Sequence, residues 1–121
     1  SPMAYQDFRR EGGETSEAIR ERVIKAWNRQ RDRFVNTGIR SNGEMGIREI
    51  KQHCRLRPSE ETFLEQIYTA KKLSGRSVHK ILRVARTIAD LADETYISKI
   101  HLAEAVSYRG LEDKYWGGGT A

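Results

Sequence analysis

The clearest chemical signal in this 121-residue sequence is the stretch Leu73-Ser74-Gly75-Arg76-Ser77. Ser74 is suited to cap a helix, which puts Arg76 in the first turn. A helix N-terminus carries positive partial charge on its unpaired N–H groups. A cation there is misplaced by a few tenths of a kcal/mol up to about 1 kcal/mol. The sign reverses once an anion is close: free backbone N–H groups, the helix dipole and the guanidinium would converge on one phosphate. Gly75 would let that ligand approach closely. Local rule-breaking of this kind marks functional sites. The alternative is an arginine that reaches solvent or pairs with a neighbouring carboxylate. Lys80 and Arg83 continue at intervals of four and three, so they share a helix face with Arg76. They are candidates for further phosphate contacts, for contacts to another subunit, or for a plain solvated face.

Other chemistry finds little support. A phosphate-gripping G-x-x-x-x-G-K-[ST] loop is absent, since no glycine is followed by lysine. Asp93-Glu94 resembles a magnesium-holding acidic pair, but it follows Ala89-Asp90-Leu91-Ala92 and reads as a charged helix end. His53 and Cys54 are adjacent and point in different directions on a helix, while His79 and His101 stand apart. No metal-ligand spacing recurs. Nothing supports a Cys–His nucleophilic pair.

The elements that must position these residues are helical. Strand-like alternation is almost absent, and the only prolines are Pro2 and Pro58. Residues 1–13 read as irregular, ended by Gly12-Gly13. Thr15 or Ser16 caps a first helix running to Phe34 or Val35, with Ile19, Val23, Ala26, Trp27 and Phe34 as its apolar stripe. A short helix over about 45–54 turns Met45, Ile47 and Ile50 inward and is ended by Leu56-Arg57-Pro58. Ser59 caps the next helix, whose buried face is Phe63, Leu64, Ile67 and Tyr68 and which Leu73 closes. The longest helix, 75–92, buries Val78, Ile81, Leu82, Ala85, Ile88, Ala89 and Ala92. The last starts at Ser98, with Ile97 and Leu102 spaced as a hydrophobic staple. The tail contains Tyr115-Trp116 and three glycines. The expected fold is all-α, a small bundle of about five helices.

Composition bounds the rest. One small domain fits the length, and no apolar run reaches a membrane span. The lone Cys54 excludes an internal disulfide and suits a reducing cytoplasm. The net charge of +5 favours polyanionic partners such as nucleotide phosphates, nucleic acid or an acidic protein face, or else reflects a mildly basic solvated surface.

The segment from Leu73 to Arg76, followed by His79-Lys80-Ile81-Leu82-Arg83-Val84-Ala85-Arg86-Thr87-Ile88-Ala89-Asp90-Leu91, resembles the sensor-2 helix of magnesium-chelatase-like AAA+ ATPases. His101 to Arg109 resembles the helix after it. Gly13-Glu14-Thr15-Ser16, Ile19 to Val23, Arg40-Ser41-Asn42 and Gln52 to Leu56 fit the same family in order. The resemblance covers about residues 14–111 and is closest to the competence-associated branch. It implies a C-terminal helical lid over 14–111, a linker over 1–13 from an AAA+ core, and a flexible tail over 112–121. Arg76, with Ser74 and Gly75, would be the sensor-2 site that reaches the γ-phosphate of ATP. The core would hold ATP, the magnesium ion and the phosphate loop, so the chain alone is expected neither to hydrolyse nor to retain ATP. A homo-oligomeric ring, typically a hexamer, and DNA branch migration are further implications. Arg20 and Arg22 match the family pattern and serve either an inter-subunit contact or a solvated face. Gly75 departs from the alanine often found there. Two other functions stay open: a standalone basic module that binds nucleic acid, resting on the charge and the arginine-rich first helix, and an interaction domain whose Tyr115-Trp116 tail docks a partner.

Overall fold

The computed structural model describes residues 14–112, with side chains through Tyr108. Among these residues there are five α-helices, one 3-10 turn and no strand. In chain order they are α1 (Ser16–Arg33), the 3-10 turn (Asn42–Glu44), α2 (Ile47–His53), α3 (Pro58–Ala70), α4 (Gly75–Leu91) and α5 (Lys99–Glu112). The all-α bundle expected from the sequence is what forms. The linker over 1–13 and the tail from 113 onward, with Tyr115-Trp116, lie outside the described residues; Glu112 still belongs to α5.

Helix α4 is the centre. It packs against α1, the 3-10 turn, α2 and α5, while α3 packs on α5. Its cap is Ser74, whose hydroxyl accepts the Ser77 amide at 3.1 Å. Ile81, Leu82, Ala85 and Ala89 are buried in one cluster with Phe34, Met45, Ile50, Leu64, Leu73, Ile97, Leu102 and Ala105. Ala92, expected inward, is exposed because it is the C-cap.

The ends of α3 and α4 use the same device without glycine. The Leu73 amide donates to the Tyr68 carbonyl at 3.0 Å and the Glu94 amide to the Ala89 carbonyl at 2.9 Å. The intervening Lys72 and Asp93 take left-handed conformations, φ 51° and 59°. The staple at the start of α5 forms as expected, with Ile97 and Leu102 both buried. There the Ser98 amide donates to His101 Nδ1 at 2.9 Å, so an imidazole fills the place a glutamate usually takes in a capping box.

Several expected faces are corrected. In α1 only Ala26 and Gln30 are buried, joined by Phe34 at the C-cap, whereas Ile19 is 43% and Trp27 61% exposed and Val23 is exposed too. The stripe has the right period, but no residue of the helix before Ala26 is buried. Ile47 is 58% exposed, because α2 begins there and turns Ile50 inward, while Met45 is buried from the segment before the helix. Arg57, not Ser59, is the N-cap of α3, and Pro58 opens that helix rather than ending the one before. Proline is tolerated at this first position because its missing N–H would have had no partner. Tyr68 is exposed.

Candidate functional site at the start of the fourth helix

Gly75 and Arg76 are the first two residues of α4, and the first turn holds no acidic residue. Ser74 satisfies the Ser77 amide, and the amides of Gly75 and Arg76 precede any intrahelical acceptor. Arg76 is exposed and makes no ion pair with any described residue. A Cβ added to Gly75 would meet nothing within 4 Å, and its φ is not positive. Neither local packing nor backbone conformation demands glycine there, and the helix mouth is open.

The structure partly separates the other candidates from Arg76. Lys80 and Arg83 are half-buried and line an open hollow of about 540 Å³ with Gly43, Thr87 and the apolar Val84, Ile88, Leu91 and Tyr108. Arg76 is not in its wall. Arg83 also donates to the Met45 carbonyl at 3.2 Å, tying α4 to the chain before α2. Arg20 and Arg22 are exposed on α1. Arg22 pairs with Glu14 and lies beside Leu91 and Ala92, at the end of α4 opposite Arg76. The two α1 arginines therefore do not join Arg76 in one site within this chain.

A buried polar knot that sequence reasoning missed lies where α1 crosses the C-terminal end of α4. Arg33 donates both Nη atoms to Asp90, at 2.7 and 2.8 Å, and one of them also to Asn42 Oδ1 at 2.7 Å. Asn42 Nδ2 donates to Asp90 at 2.8 Å and to Thr87 Oγ1 at 3.0 Å, and its amide donates to Gln30 Oε1 at 2.8 Å. Arg86 is 3.3 Å from Asp90 and donates to the carbonyls of Thr95 and Glu94 at 2.9 and 2.8 Å. Asp90 and Asn42 are fully buried. Burial pushes the Asp90 carboxyl up, but the hydrogen bonds from Arg33 and Asn42 and the charges of Arg33 and Arg86 outweigh it, so its pKa lies below the ordinary value. Burial likewise draws Arg86 down, opposed by Asp90. The sequence signal was the i, i+4 pair Arg86/Asp90 beside an apolar stripe. That spacing suits a solvated flank equally well, and burial comes only from the docking of α1 over it.

Among the described residues no cluster of three or more His, Cys, Asp or Glu side chains could hold a metal ion. No described helix is long and apolar enough to cross a membrane. The mouth of α4 offers two amides ahead of any intrahelical acceptor and one exposed guanidinium, donors of the kind that suit an anion.

Residues 13–109 match the family model for the C-terminal part of the magnesium chelatase subunit ChlI. The chain belongs to this family. It is 40% identical over 99 residues to the competence protein ComM of Haemophilus influenzae, covering 82% of this chain and 19% of that protein. It is also 40% identical over 100 residues to the protein YifB of Salmonella typhimurium and 37% identical over 100 residues to YifB of Escherichia coli, in both cases covering 83% of this chain and 19% of the relative. The chain thus spans about a fifth of the length of the curated relatives it matches.

Proposed function

We propose that this chain is the helical lid of a magnesium-chelatase-like AAA+ ATPase and that Arg76 is its sensor-2 arginine. The observation that carries the reading is an exposed arginine at the acid-free mouth of a capped helix, with no described counter-ion. Family membership and likeness to a competence protein support it. Arg76 would place a guanidinium, with the first-turn amides of α4, on the γ-phosphate of ATP and stabilise the charge that develops there. Bound ATP and magnesium supply the phosphoryl-transfer chemistry from the rest of the protein. This chain's part is to present one cation and to couple its position to the nucleotide state. The remodelled substrate in this reading is DNA, acted on by a cytoplasmic ring of such subunits, with Lys80, Arg83, Arg20 and Arg22 as candidate contacts between them. In the full-length protein Arg76→Ala is expected to cut ATP hydrolysis by about 100-fold, the scale of losing one preorganised donor. Wild-type turnover in that variant rejects the reading.

A second reading keeps the chain as a nucleic-acid binder in its own right. It rests on Trp27, exposed beside Arg31 and Arg40 around a hollow of about 440 Å³, an aromatic face among cations. It requires DNA binding by the chain alone that weakens steeply with salt and is lost in Trp27→Ala. Binding that is absent at low salt removes it.

A further inference from the structure

The polar knot ties α1 to the end of α4 that lies away from Arg76. We infer that Asp90, held by Arg33 and Asn42, is a positioning residue that sets the direction in which α4 presents Arg76; this rests on the sensor reading of Arg76. The apolar anchors of α1 are few: Ala26 and Phe34 are its buried hydrophobic residues. Two such contacts leave a helix free to rock and slide. The paired Arg33–Asp90 bonds at 2.7 and 2.8 Å are planar and directional, and Asn42 fixes the same carboxylate from a third side. A buried ion pair gains little net stability over apolar packing of the same shape, so directional hold is the better account of it.

Leverage makes that hold matter. Asp90 and Arg76 lie on one unbroken helix, fourteen residues apart. That separation is about 21 Å at 1.5 Å per residue. A tilt of about 5° at the knot would carry Arg76 about 2 Å, and a misplacement of about 1 Å can cost a catalytic group 100-fold. With Arg76 as sensor, the family resemblance implies a nucleotide-holding core joined to α1 through residues 1–13. The knot then joins the arm that core holds to the helix that carries its sensor.

The test is a double-mutant cycle in the full-length protein, following ATP hydrolysis and thermal melting. Arg33→Lys keeps the charge and removes the two-pronged contact. It is expected to lower kcat at least about tenfold while KM changes less than about threefold. In an Arg76→Ala background it is expected to cost nothing more, because the group it positions is gone. Losses that multiply, or wild-type kcat in folded Arg33→Lys, overturn the positioning role. Wild-type kcat in Arg76→Ala overturns the sensor reading instead, so the two failures are distinct. If Arg33→Lys melts below the assay temperature, Thr87→Val replaces it, removing one Asn42 hydrogen bond and no charge. A fall in kcat of about threefold that vanishes in Arg76→Ala is then expected, and wild-type kcat overturns the proposal.

Discussion

Arg33, in the last turn of α1, and Asp90, near the end of α4, meet through two parallel hydrogen bonds with the carboxylate wholly out of solvent. That contact has a pH signature. The folded-state pKa of Asp90 lies below its ordinary 3.8, so its contribution is fully present above about that pH. The contribution is lost as pH falls through the lower folded value. Asp90→Asn should cost about 3–5 kcal/mol at pH 7, because it leaves Arg33 and Arg86 buried without their counter-charge. The gap between wild type and variant should narrow below pH 3.8. Urea unfolding at a series of pH values measures both effects.

Leu102 and Trp27 should behave oppositely despite their similar hydrophobicity. Leu102 is fully buried in the staple that opens α5, so Leu102→Ala should cost about 2–5 kcal/mol. Trp27 is 61% exposed, and Trp27→Ala should change stability by no more than about 0.5 kcal/mol. Comparing midpoints of denaturant unfolding separates them.

Lys72 ends α3 at φ 51°, a conformation that disfavours any side chain with a Cβ. Lys72→Gly relieves that cost and gives back part of it as unfolded-state entropy. The net expectation is a gain of about 0.5–1 kcal/mol, read as a higher melting temperature.

Cys54 is buried and its thiol is pushed up to about 11, chiefly by desolvation. At pH 8 it carries about a hundredfold less thiolate than a cysteine at the ordinary 9.0. A thiol reagent should label the native chain slowly and the urea-unfolded chain at the rate of a free thiol.

Helix positions were legible where local signals sufficed. Ser74 as cap, the Ile81 to Ala89 face and the Ile97–Leu102 staple stand where spacing put them. Legibility failed where neighbours decide. Ile19 and Trp27 have the spacing of a buried stripe, but burial depends on which turns another helix reaches. Pro58 read as a stop when it is a start, because proline is common both just past the end of one helix and at the first position of the next. Of the candidate site, the mouth of α4 was readable from Ser74 and Arg76 alone. The knot was not, since Asp90 lies 57 residues from Arg33 and 48 from Asn42, and only docking brings the three side chains together.

The one-sided seating of α1 means that this helix has no single stability. Clamped from Ala26 onward and with no buried residue before it, it should unwind from its leading end like rope from a cleat. Amide hydrogen exchange should therefore be graded within one continuous helix, fast through its first turns and slow from Gln30 to Phe34.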